Sequence, residues 1–107
     1  MDLQELIDAL AAADQEHVAP IGFGKPMSYR GVYNCVAFTP ETNVTVRYML
    51  ANARLALGAT FTGYKGGEYT MHEYTDCYIA EYGRSGGDKI GPVLVAYITG
   101  GEYKLDD

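Results

Sequence analysis

The apolar residues of this chain change their period at Gly58, and that change limits the fold more than any other feature. Before Gly58, two segments repeat at helical spacing. Leu3, Leu6, Ile7 and Leu10 form a stripe over residues 3–13, and Val46, Met49, Leu50, Ala53 and Leu57 form one over 45–57. Both segments have boundary signals. Asp2-Leu-Gln-Glu5 offers one carboxylate to the first exposed amides and a second that reaches back, a capping-box pattern. Asn43 or Thr45 can cap the second helix, and Gly58 supplies a left-handed stop. After Gly58 the period is two. Residues 59–64 and 68–74 read as hairpin strands turning at Lys65-Gly66-Gly67, and 76–82 alternates again. Residues 31–39 alternate through Val32, Val36 and Phe38 and are expected to end at Pro40. The nearly unbroken apolar run from Pro92 to Ile98 reads as a central strand. Residues 18–28, punctuated by Pro20, Gly22, Gly24 and Pro26, read as a loop.

The order of elements predicts one α+β domain over residues 1–107, with an antiparallel sheet of about four to five strands and two helices on one face. A chain of 107 residues is long enough for one modest core. No run approaches the roughly 20 apolar residues of a membrane span. Leu50 to Ala59 is interrupted by Asn52, Arg54 and Gly58. The N-terminus begins with acidic residues, unlike a secretory signal, so the expected setting is the cytoplasm. Cys35 and Cys77, both in strand-like segments, are expected to be free buried thiols in that compartment.

A net charge of −6 argues against generic nucleic-acid binding, which depends on neutralising phosphates. The charges are unevenly spread. Residues 1–24 contain no Lys or Arg, whereas 25–65 hold Lys25, Arg30, Arg47, Arg54 and Lys65 against Glu41 alone. The remainder, ending in an acidic tail, is again acidic. A basic middle of this kind marks either a local anion site or the internal partner of the acidic flanks.

Catalytic and metal-binding clusters are thin. His17 and His72 are the only histidines, and with Cys35 and Cys77 they lack the short paired spacings of structural zinc sites. His72 and Cys77, an odd spacing apart, would lie on opposite faces of one strand. Neither Gly22-Phe-Gly-Lys25 nor Gly83 to Lys89 completes a nucleotide-hydrolysis loop, because no Ser or Thr follows the lysine to open a helix. No catalytic residue, metal or cofactor is therefore assigned. Glycine turns can nevertheless bind anions through their amides, and Arg84 in Gly83-Arg-Ser-Gly-Gly87 would add a planar donor. Tyrosine is abundant, ten residues with no tryptophan, and several flank glycines or bases. A tyrosine joins a flat apolar face to a hydroxyl, which suits planar ligands and interfaces. The candidate ligand-binding set is Tyr29 and Tyr64 for stacking, Arg30, Lys65 and Arg84 for charge, and Glu68 as acceptor from a base or ribose edge.

Ser28-Tyr-Arg-Gly31, Ala37-Phe-Thr-Pro40, Ala53-Arg-Leu-Ala-Leu-Gly-Ala-Thr-Phe61 and Gly63-Tyr-Lys-Gly-Gly-Glu-Tyr-Thr-Met71 resemble small uncharacterised proteins of actinobacterial phages and prophages. That resemblance implies no activity. It implies an accessory role in a bacterial host, where such proteins inhibit host proteins or sequester signals of host defence. The loop tyrosines, glycine turns, charge distribution and His72 leave three expectations. The first is a non-enzymatic, homo-oligomeric binding protein for a small anionic or nucleotide-like ligand. The second is an acidic protein–protein inhibitor of a host protein, and the third is a small enzyme using His72 with Glu73 or Asp76.

Overall fold

Helix α1 (Leu3–Ala11) starts as its sequence dictates: the Glu5 amide donates to Asp2 Oδ1 at 2.9 Å and the Asp2 amide to Glu5 Oε1 at 3.0 Å. The protein is seen here in a computed structural model that describes residues 1–100; the acidic tail, residues 101–107, lies outside the described residues. Thr45, rather than Asn43, caps α2 (Val46–Ala56), accepting from the Tyr48 amide at 3.1 Å. Gly58 follows with a φ of +81°.

The fold is α+β. Strands β1 (Val18–Ser28), β2 (Val36–Thr45), β5 (Cys77–Ile79) and β6 (Asp88–Lys89) form a sheet in the order β1-β2-β5-β6. Its outer pairs are antiparallel and the β2–β5 pair is parallel. Strands β3 (Thr60–Thr62) and β4 (Glu68–Thr70) make a separate hairpin. A third helix, α3 (Pro92–Ile98), completes the set.

Three sequence expectations are overturned. Residues 18–28 are a strand, not a loop. β1 is an edge strand, where proline is tolerated, and Pro26 sits in register with Phe38 at a position whose nitrogen faces outward. The glycines are demanded by packing: a Cβ on Gly22 would stand 2.7 Å from Val44 and 2.9 Å from Met49, and one on Gly24 would overlap the Glu41 carboxylate. The second correction is that β2 starts at Val36, after a connecting loop, and runs through Pro40 to Thr45. Ala80 donates to the Phe38 carbonyl at 3.1 Å, so the backbone groups of Phe38 face β5. Pro40, two residues on, faces the same way but beyond the end of β5, so its missing N–H costs no ladder bond. Third, residues 92–98 are helical, with Pro92 in the first turn where its absent donor is harmless. Only Val95 and Ile98 of that run are buried, while Val93 and Tyr97 are exposed.

The main core joins Leu3, Leu6 and Leu10 of α1, Met49 and Ala53 of α2, and Ile98 of α3 to Phe23, Val36, Phe38 and Cys77 of the sheet. Phe23 and Phe38 meet with ring centroids 4.6 Å apart. A smaller cluster gathers Tyr29, Cys35, Ala37 and Ala80. Because Val36 and Phe38 alternate with Ala37 along β2, the two clusters lie on opposite faces of the sheet. No helix among the described residues is long and apolar enough to cross a membrane.

Candidate functional site

Past Ile79 the chain leaves the sheet through a 3-10 turn at Glu81–Gly83, in which Tyr82 and Gly83 both adopt positive φ, +51° and +70°. Two long-range bonds fix this segment against the end of β1. The Arg30 amide donates to the Gly83 carbonyl at 2.8 Å, and the Tyr29 hydroxyl donates to the Ser85 carbonyl at 2.7 Å. Gly87 packs so closely that a Cβ there would lie 2.6 Å from Ala80 Cβ and 2.7 Å from the Ile79 carbonyl oxygen. The result is a rigidly placed turn over the smaller core cluster.

This turn borders a cleft of about 970 Å³, within the usual size of small-molecule sites. Arg30, Tyr64 and Arg84 all line it. They come from three separate segments: the β1–β2 loop, the tip of the β3–β4 hairpin and the glycine turn. The Arg30 guanidinium lies 4.1 Å from the Tyr64 ring centroid, a cation–π contact that ties loop to hairpin. Tyr33 and Tyr69, with centroids 5.6 Å apart, make a second tie. Tyr64 remains 65% exposed. Ile21, Pro40, Ile79 and Leu94 provide an apolar part of the lining.

Three sequence-predicted site residues are placed elsewhere. Tyr29 is only 5% exposed, its ring stacked on Tyr78 at 4.2 Å and its hydroxyl spent on Ser85, so it has no face for a ligand. Its role is to position the turn. Lys65 is exposed at the hairpin tip, and Glu68 is exposed on β4 opposite Thr62; neither lines the cleft. The carboxylates that do line it are Glu81 and Asp88, which are outside the sequence-predicted set. The signal was present, since both flank Arg84 in one glycine-rich stretch.

Among the described residues the ion pairs are Arg47 with Glu16 and Lys89 with Asp76, the latter at 3.5 Å. Part of the basic middle is thus neutralised by the acidic N-terminal segment. Arg30, Arg84, Glu81 and Asp88 take part in neither pair. The Ser85 and Gly86 amides, at the cleft wall, donate to no backbone carbonyl among the described residues. The cleft is therefore lined by two guanidinium groups, two residues whose amides have no backbone acceptor among the described residues, an exposed ring and two carboxylates.

The other candidate chemical groups lie apart. His72 and Glu73 line a second, shallower depression of about 570 Å³ with Leu57 and Tyr74. His72 Nδ1 accepts from the Tyr74 amide at 3.1 Å, which leaves Nε2 as the protonated nitrogen of the neutral ring. Asp76 is held by Lys89. His17 packs against Gly100. Cys35 and Cys77 are free and buried. Burial pushes the Cys77 thiol up to about 12 and raises Cys35 as well. Among the described residues no three His, Cys, Asp or Glu side chains gather as a metal site. Comparison with protein-family models, curated proteins and solved structures gave no match.

Proposed function

We propose that this protein binds a small, planar, anionic ligand of nucleotide type in the cleft and does no chemistry on it. The observation that carries the reading is the convergence of Arg30, Tyr64 and Arg84, distant in sequence, on one cleft beside Ser85 and Gly86, whose amides have no backbone acceptor among the described residues. Guanidinium groups and turn amides suit phosphate oxygens. The exposed Tyr64 ring suits a base, and an incoming base competes with Arg30 for its face. In the phage setting that the sequence resemblance implies, a binder of this kind acts by sequestering a host defence signal.

Calorimetry against mono-, di- and cyclic nucleotides is the direct test, with melting temperature followed in parallel. A true ligand raises the melting temperature in proportion to RT ln(1 + [L]/Kd). Replacing Arg30 or Arg84 by Ala removes a charge-assisted hydrogen bond and should cost about 1.5–3 kcal/mol of affinity. Tyr64→Leu keeps apolar area but loses stacking, a loss of about 0.5–1.5 kcal/mol. If no nucleotide on the panel stabilises the protein, the reading fails.

A further inference from the structure

Four charges of both signs share the cleft without pairing among the described residues: Arg30, Arg84, Glu81 and Asp88. Arg30 rests on an aromatic ring and not on either carboxylate. A ligand that is anionic throughout would meet Glu81 and Asp88 as repulsion. One that is anionic at one end and rich in N–H donors at the other would use both halves of the lining.

We infer that the ligand carries guanine, with the donor edge of the base on Asp88; the inference rests on the nucleotide reading above. Asp88 is the cross-strand partner of Ile79, which places it beside the apolar lining of Ile21, Pro40, Ile79 and Leu94. A base stacked on the exposed Tyr64 ring and reaching that apolar surface turns its edge to the carboxylate. An ionised carboxylate only accepts hydrogen bonds, so it selects a base with adjacent donors. Guanine presents N1–H and N2–H side by side, matching two carboxylate oxygens. Adenine and cytosine set a ring acceptor next to their amino group, and uracil flanks its single N–H with carbonyls. Each of these turns at least one lone pair toward Asp88. A mismatched base sets that lone pair against the carboxylate, and because Asp88 is exposed and can recover water the resulting preference is modest. The phosphates then fall to Arg30, Arg84 and the Ser85–Gly86 amides. Glu81, in the turn directly before Arg84, is the comparison carboxylate.

The test uses the full chain and calorimetric titration with GDP, ADP, CDP, UDP and inorganic pyrophosphate. Wild type should bind GDP about tenfold more tightly than the other three nucleotides. Asp88→Asn should bring GDP to the level of ADP and leave pyrophosphate binding unchanged. Glu81→Gln should keep the preference. Asp88 is exposed on a two-residue strand, and equal melting temperatures of the variants confirm that each is folded. ADP binding as tightly as GDP to wild type would overturn the guanine assignment and leave the nucleotide reading intact. Loss of the preference in Glu81→Gln, with Asp88→Asn unaffected, would overturn the assignment to Asp88. If GDP, ADP, CDP and UDP all fail to bind, both readings fall together.

Discussion

Replacing Tyr29 by Phe isolates the bond that positions the candidate cleft. The substitution keeps the ring, and with it the 4.2 Å stack on Tyr78, but deletes the hydroxyl that donates to the Ser85 carbonyl at 2.7 Å. A net intramolecular hydrogen bond contributes about 0.5–1.5 kcal/mol. Ser85 is exposed, so water can reach its abandoned carbonyl, and the cost should sit near the middle of that range, about 1 kcal/mol. For a domain of this size that lowers the melting temperature by roughly 4–8 °C. Tyr29→Ala removes the buried ring as well and should cost about 3–5 kcal/mol. Urea unfolding gives both values, and an unchanged slope would show that stability alone has moved. Hydrogen exchange adds location: the hydrogen-bonded amides of Arg30, Gly83 and Arg84 should exchange faster in Tyr29→Phe, while those of α1 and α2 keep their protection relative to global stability. An unaltered melting temperature, or loosening spread evenly over the chain, would refute the claim that this hydroxyl anchors the turn.

Two further outcomes are expected. Gly22→Ala should destabilise by about 1–3 kcal/mol because Val44 and the fully buried Met49 must shift, whereas Gly24→Ala should cost less, since the Glu41 side chain it displaces can swing toward solvent; paired urea titrations test the order. Burial holds Cys77 near 12 against an ordinary value of 9.0, so the thiol stays protonated in the folded chain after it has ionised in the unfolded one. The unfolded state then binds fewer protons, and this contribution is complete below about pH 9 and declines as pH rises toward about 12, with a slope approaching about 1.4 kcal/mol per pH unit. Cys77→Ala should flatten that alkaline decline in a pH series of melting curves, and an unchanged decline would count against a buried neutral thiol.

Both long helices were legible because their signals are local. The Asp2 capping box, the Thr45 cap and the apolar stripes each act within a few residues. β1 was illegible because its glycines and prolines answer to partners far along the chain. Nothing near Gly22 says that Val44 and Met49 will press on it, and nothing near Pro26 says that its nitrogen will face outward. Pro92–Ile98 failed for another reason, since seven apolar residues have no readable period and Pro92 suits the first turn of a helix as well as the start of a strand. Within the candidate site, Arg30, Tyr64 and Arg84 were found by residue type and neighbourhood. Tyr29 has the same local context as Tyr64, and only the packing of the 81–87 segment distinguishes a buried strut from an exposed ring.

The outward-facing prolines bear on how copies of this chain can associate. A strand approaching along the free margin of β1 meets a gap in the row of donors at Pro26, next to the irregular register between Phe23 and Pro26. One approaching β2 beyond the end of β5 meets a second gap at Pro40. Such interruptions discourage edge-to-edge growth of sheets, the route that leads from a soluble fold to fibrils. Any self-association would thereby be steered away from backbone pairing and toward contacts between side chains, such as the exposed Val93 and Tyr97 of α3.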